Sequence, residues 1–180
     1  SNSGLTIQGT LLAKGSTTSP IVFTTLTDST YGGVTNGATG TVSSGGLWQG
    51  ITLASSGGPS VLSHVRLRGT GAEGQSALTV FSVSPEITDS TFEYGGGGVS
   101  LLNSRAPLLR STIRKQASQS RNASGVLADG GSPAVEDNLI SDNFIGITLS
   151  NSSARLRNNV FSGSSYRAGI LSLLGGSVIE

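Results

Sequence analysis

A phrase with two anchors recurs along this chain of 180 residues. A small residue and an apolar one are followed about nine residues later by a second apolar residue: Gly98-Val99 then Leu108, Gly125-Val126 then Val135, Gly146-Ile147 then Leu156. Ala77-Leu78 with Ile87, Gly50-Ile51 with Leu62, and Gly169-Ile170 with Val178 fit the same phrase. From Ala77 onward the phrase restarts after 21, 27, 21 and 23 residues. A constant minimum with insertions added on top marks a solenoid, in which each repeat is one turn and buries its apolar face only against its neighbours.

Aligned on the second anchor, the copies run Leu62–Leu67, Ile87–Phe92, Leu108–Ile113, Val135–Ile140 and Leu156–Phe161, and Val178 starts another. The first and sixth positions are apolar in every complete copy, and the fourth is Ser90, Ser111, Asn138 and Asn159, with Val65 departing. So short a cadence does not suit an amphipathic helix. It suits two short strands joined by a bend, expected at the fourth position because Ser and Asn bond neighbouring backbone and Asn tolerates a left-handed conformation. Stacked one strand spacing apart, about 4.8 Å, these side chains would bond the copies above and below as a ladder. The Gly-Val or Gly-Ile strand makes a third side, so each coil supplies three short strands and the sheets run parallel.

The pattern resembles the right-handed parallel β-helix family and its I-x-N-N-x-I … G-I repeat, over roughly residues 47–180. The N-terminal run Gly4-Leu5-Thr6-Ile7-Gln8-Gly9-Thr10-Leu11, then Gly15-Ser16, Pro20-Ile21-Val22-Phe23-Thr24 and Leu47-Trp48-Gln49-Gly50-Ile51, looks like the opening coils of β-helix modules in large bacterial surface and secreted proteins. The resemblance implies an all-β, single-stranded right-handed parallel β-helix of about seven or eight coils. It also implies an extracellular or cell-surface setting, as a stalk, adhesin-like module or filament subunit. The chain reads as one β-helix domain over residues 1–180, a segment of a longer protein or a stacking subunit, with an inserted loop at 28–46. Its open ends would pair head to tail with another copy, because unpaired strand edges template further strands.

Composition narrows the partners. Charged residues make up 12% of the chain and the net charge is +1, which offers no field for nucleic acid or anionic lipid. Cysteine is absent, so neither a disulfide framework nor a thiolate metal site is available. No stretch approaches the roughly 18 apolar residues needed to insert across a membrane. With one histidine and scattered carboxylates, no metal and no cofactor is expected. The insertion at 28–46 is Gly, Thr and Ser with the single carboxylate Asp28, too few hard ligands for calcium. Two further insertions, 69–76 and 115–124, fall at the same point of the repeat and should emerge from one edge, where a solenoid meets its ligands.

The third position of successive coils reads His64, Asp89, Arg110, Asp137, Asn158. Asp89, Arg110 and Asp137 alternate in sign, as a registry ladder between coils would require. Read as a site, the same three residues would serve a polysaccharide lyase or glycoside hydrolase acting on an acidic glycan, with two carboxylates roughly 9–10 Å apart by strand spacing. Arg110 between the acids favours their ionised forms and so disfavours either as a general acid. Ser63 or Ser90 with His64 and Asp89 imitates a hydrolytic triad, a coincidence that a Ser-rich chain offers cheaply. For a carbohydrate-binding module contacting a surface glycan, the candidate ligand contacts are Trp48, Tyr94, Arg114 and Arg121.

Overall fold

The computed structural model describes residues 3–34, 40–42, 48–54, 58–70, 75–116, 124–163, 168–172 and 175–180. The first coil comprises β1 (Ser3–Ile7), β2 (Leu12–Lys14) and β3 (Ile21–Phe23), and the second β4 (Trp48–Ala54), β5 (Val61–Ser63) and β6 (Val65–Arg68). The third is β7 (Ser76–Phe81), β8 (Glu86–Thr88) and β9 (Thr91–Glu93), and the fourth β10 (Gly97–Leu102), β11 (Pro107–Leu109) and β12 (Thr112–Arg114). The fifth holds β13 (Val126–Asp129), β14 (Ala134–Glu136) and β15 (Leu139–Ser141), and the sixth β16 (Ile145–Ser150), β17 (Arg155–Arg157) and β18 (Val160–Ser162). The strands β19 (Ala168–Ser172) and β20 (Val178–Ile179) begin a seventh, slightly fewer than the seven or eight coils expected.

Each strand pairs in parallel with its counterpart one coil away, giving a first sheet of seven strands from β1 to β19, a second of seven from β2 to β20 and a third of six from β3 to β18. The anchor columns are in register: Leu108 lies between Ile87 and Val135, and Ile113 between Phe92 and Ile140. Val99 lies between Leu78 and Val126 in the first sheet. All nine of these side chains are buried and join one continuous core.

The small residue of the repeated phrase has a steric cause. A Cβ on Gly98 would lie 2.1 Å from the Gly125 carbonyl oxygen, and one on Gly146 would lie 2.4 Å from that of Gly169. Backbone from the next coil occupies the space a side chain would need.

The bend differs from the expectation. The left-handed residue is the third of the column set, with His64, Asp89, Arg110, Asp137 and Asn158 at φ between 47° and 57°, and the fourth-position residue turns inward instead. Left-handed backbone is uncommon for residues with a Cβ. Here the N–H groups so displaced still find the next coil: Asp89 donates to Leu109 O, Arg110 to Glu136 O and Asp137 to Arg157 O, at 3.0–3.1 Å. A second left-handed corner stacks Gly69, Tyr94, Lys115, Asp142 and Gly163, and a third stacks Ser82, Asn103, Gly130 and Asn151.

The inward fourth position forms the expected ladder. The N–H groups of Val65, Ser90, Ser111 and Asn138 donate to the side-chain oxygens of Ser90, Ser111, Asn138 and Asn159 respectively, at 2.9–3.1 Å. Each rung satisfies a backbone donor that the bend removes from the sheet. A comparable ladder runs inside the second corner, where Gly95 N donates to Gln116 Oε1 and Gln116 N to Asn143 Oδ1.

Candidate functional site

The insertions at 28–46, 69–76 and 115–124 all connect the third sheet to the first, and so leave from the second corner. Residues 35–39, 43–47, 71–74 and 117–123 of these loops lie outside the described residues, Arg121 among them. At the base of the first insertion Ser29 N donates to Gly40 O at 3.0 Å, closing the loop on itself.

This corner carries a chain of charge that crosses four coils, buried at Asp28, Arg68 and Glu93 and reaching the surface at Arg114. Asp28, at 3% exposure, accepts from Thr24 Oγ1 (2.7 Å), from Thr30 N (3.1 Å) and from Arg68 Nη1 (3.1 Å). Arg68 Nε lies 2.9 Å from Glu93 Oε1, an ion contact without hydrogen-bond alignment. Glu93 Oε2 accepts in turn from Arg114 Nε and Nη2 at 2.9 and 2.6 Å. The pairing follows strand register, since Arg68 lies opposite Glu93 and Glu93 opposite Arg114. Burial pushes the Asp28 carboxyl up, but the hydrogen bonds from Thr24 and Thr30 and the charge of Arg68 outweigh it and hold it below its ordinary 3.8.

Aromatic rings interleave with the cations. The Arg68 guanidinium lies 4.9 Å from the Tyr31 ring centre and 5.5 Å from that of Tyr94. Arg66 covers Tyr31 and bonds its hydroxyl, while Lys115 Nζ lies 4.9 Å over Tyr94 and donates to its hydroxyl at 3.1 Å. Such contacts gain strength as they leave water. Trp48 packs against the core and donates Nε1–H to Arg68 O at 2.9 Å. Beside this stack a cleft of about 380 Å³ is lined by Phe23, Thr24, Leu26, Asp28, Tyr31 and Trp48, among others.

Three of the four residues read as ligand contacts, Trp48, Tyr94 and Arg114, therefore meet through Arg68 and Glu93. Asp28, Tyr31, Arg68 and Glu93 join them in the structure. The sequence signal for Arg68 and Glu93 lies one position beyond the sixth, where the column alternates as Arg68, Glu93, Arg114, then turns neutral at Ser141, whereas Asp28 and Tyr31 belong to the insertion and have no such column.

The other candidate column stands on the first corner. Arg110 donates Nε to Asp89 Oδ1 at 2.9 Å and Nη2 to Asp89 Oδ2 at 2.8 Å. Those bonds hold the Asp89 carboxyl below its ordinary value against partial burial, and the same pairing raises Arg110. Asp137 takes a hydrogen bond from Asn158 Nδ2 at 3.1 Å, so Arg110 pairs with one neighbour and not both. In the adjacent column, Glu136 lies between Arg155 (2.5 Å) and Arg157 (3.4 Å). The His64 ring nitrogens meet Ser63 Oγ at 3.0 Å and Thr17 Oγ1 at 3.2 Å, while Asp89 is engaged by Arg110, so the triad-like set is not assembled.

Residues 36–180 match the family model described as the right handed beta helix region. The chain belongs to that family. The parallel three-sheet coil described above is the architecture of a right-handed β-helix, and the matched span covers β4 to β20. No curated protein and no solved structure matches the chain. Family membership thus supplies the β-helix fold, and the chemistry must be read from the side chains themselves. Among the described residues no helix is long and apolar enough to cross a membrane.

Proposed function

We propose that this β-helix is a non-catalytic structural module of an extracellular or cell-surface protein, serving as a stalk, an adhesin-like element or a filament-forming unit. The observation that carries the reading is the two-point pairing of Asp89 with Arg110. A carboxylate held this way stays ionised at neutral pH and has no proton to donate, and both its oxygens are already engaged, which suits neither general-acid nor general-base work. Asp137 is bonded by Asn158, and Glu93 and Glu136 each sit between two arginines. Charged side chains that meet one another across coils serve register and stiffness, the properties an extended module needs. Self-association belongs to the same reading. Leu5 on the first coil and Ile179 on the last are exposed although their in-register neighbours Ile51 and Leu156 are buried, and a coil from a second copy would cover them as the coils cover one another.

Incubation with polygalacturonate and other acidic glycans, read by unsaturated-uronate absorbance and by reducing ends, tests this. The expected result is no turnover. Turnover that Arg110→Ala abolishes, with folding unchanged by circular dichroism, would replace the scaffold with a lyase or hydrolase. Light scattering across a concentration series checks self-association.

A further inference from the structure

We propose that the outer face of the second sheet pairs side by side with the same face of a second copy, the two coils running antiparallel about a two-fold axis between β11 and β14. The order of residues along this face is the first support. Its first outward column reads, coil by coil, Val61, Glu86, Pro107, Ala134, Arg155 and Val178, none of them buried. Beside it, on the first corner, Arg110 is followed by Asp137. Reversing the coil order about the point between Pro107 and Ala134 turns each column into its own complement. Glu86 of one copy then meets Arg155 of the other, Arg110 meets Asp137, Pro107 meets Ala134 and Val61 meets Val178. Each contact occurs twice, as a two-fold interface requires. A parallel pair would instead set every coil against itself and bring Arg155 against Arg157.

Charge left over within one copy is the second support. Glu86 is exposed, makes no ion pair among the described residues, and acts on Arg110 as a more distant charge. Three coils further on, Arg155 and Arg157 share the single carboxylate of Glu136, and both are about half-exposed. One face therefore carries a negative surplus on the third coil and a positive one on the sixth. Opposed charges of this kind fix orientation and partner choice more than affinity. Between them Pro107, Leu109 and Ala134 are uncharged and half-buried, an apolar centre inside a charged rim. Six strand spacings along the stack and five residues across measure about 29 by 17 Å. Two such faces bury about 1,000 Å² together, the low end for a specific pair, so the dimer depends on concentration. It goes beyond end-to-end association, because it uses the flank of the coils and closes at two copies.

Sedimentation velocity on the full chain, across a concentration series at low and high salt, tests the proposal. A monomer–dimer equilibrium is expected, weaker at high salt. Glu86→Lys sets like charges together at two points of the pair and should raise the dissociation constant at least about tenfold. Ala134→Arg, at the centre, should abolish the dimer. Both should keep the melting temperature, because both side chains point outward and neither is in an ion pair of its own chain. Leu5→Ser, at the end of the stack, should leave the dimer unaltered. Cross-linking reads the orientation. The chain has no cysteine, so Pro107→Cys and Val61→Cys each add a single thiol. In the antiparallel pair the two copies of position 107 are about 11 Å apart and those of position 61 about 26 Å. A bismaleimide that spans the shorter distance should join the first variant and leave the second monomeric. A monomer at every concentration, a dimer indifferent to Glu86→Lys, loss of the dimer in Leu5→Ser, or cross-linking of both cysteine variants would each overturn the pairing. Its failure leaves the scaffold reading standing, and glycan turnover removes that reading without touching the dimer.

Discussion

Arg68 and Asp28 meet at 3.1 Å between positions 40 residues apart, and their side chains are 8% and 0% exposed. The contact ties the root of the first insertion to the second coil. Glu93 and Arg114 then extend the same chain of charge to the third and fourth coils. Removing two ions from water is expensive, and such a pair holds only when geometry and further hydrogen bonds return the loss. Thr24 and Thr30 supply those bonds to Asp28.

Acid should therefore weaken the protein through Asp28 and, less strongly, through Asp89. Both carboxyls sit below their ordinary 3.8 when folded. Between the folded and unfolded values the unfolded chain binds more protons, so their stabilisation is complete above 3.8 and is lost as pH falls through the lower, folded values. Asp28→Asn should lower stability near neutrality by about 3 kcal/mol and flatten the acid limb of the stability curve. Asp89→Asn should do so weakly, because its partner is half-exposed and surface pairs contribute about 0–1 kcal/mol. Urea midpoints measured from about pH 6 to about pH 2 check this; parallel curves for the wild type and Asp28→Asn would contradict it.

Asn138, like Asn159, makes three side-chain bonds in the ladder. Its Oδ1 accepts from Ser111 N, and its Nδ2 donates to Leu108 O at 2.9 Å and to Asn159 Oδ1 at 3.0 Å. Asn138→Ala strands two backbone groups of the preceding coil, Ser111 N and Leu108 O, and should cost about 3 kcal/mol. Asn138→Ser keeps the acceptor that Ser90 and Ser111 supply elsewhere in the column and should cost about 1 kcal/mol. Equal losses for the two variants in chemical denaturation would mean that the rung acts only as filler.

Gly98→Ala should be among the most damaging single methyl additions to this chain. The new Cβ would meet Gly125 O at 2.1 Å and Ile113 Cγ2 at 2.5 Å, and Gly125 O is already fixed by the Val99 N–H at 2.9 Å. Overpacking of this kind costs about 1–3 kcal/mol, and rigid backbone on the receiving side places it at the upper end. Gly9→Ala, with no atom within 4 Å of its Cβ position, is the control and should shift the melting temperature by little.

The core was legible because a solenoid prints its packing as a period. Leu108 and Ile113 could be assigned to anchor columns from Ile87, Phe92, Val135 and Ile140 alone. The bend was displaced by one residue because local propensity pointed to Asn138 and Ser111. The left-handed position is held by Arg110 and Asp137, stabilised by their bonds to the next coil more than by their own preference. Trp48, Tyr94 and Arg114 carried enough chemistry to be noticed singly. Their meeting through Arg68 and Glu93 was written only in the alternating column Arg68, Glu93, Arg114, and its extension to Asp28 was hidden, because that is a contact across 40 residues with no repeat to announce it.

All three insertions leave from one corner, and the two ladders, one inside that corner and one inside the first, fix the register of the coils without reference to loop length. Extending such a loop adds only a slowly growing closure entropy, about 0.6 kcal/mol per doubling. One side of the molecule is thus free to change in length and composition over generations, while the other two sides and the interior remain under the steric rule that Gly98 and Gly146 obey. New specificity can accumulate at that corner without a compensating change anywhere in the stack.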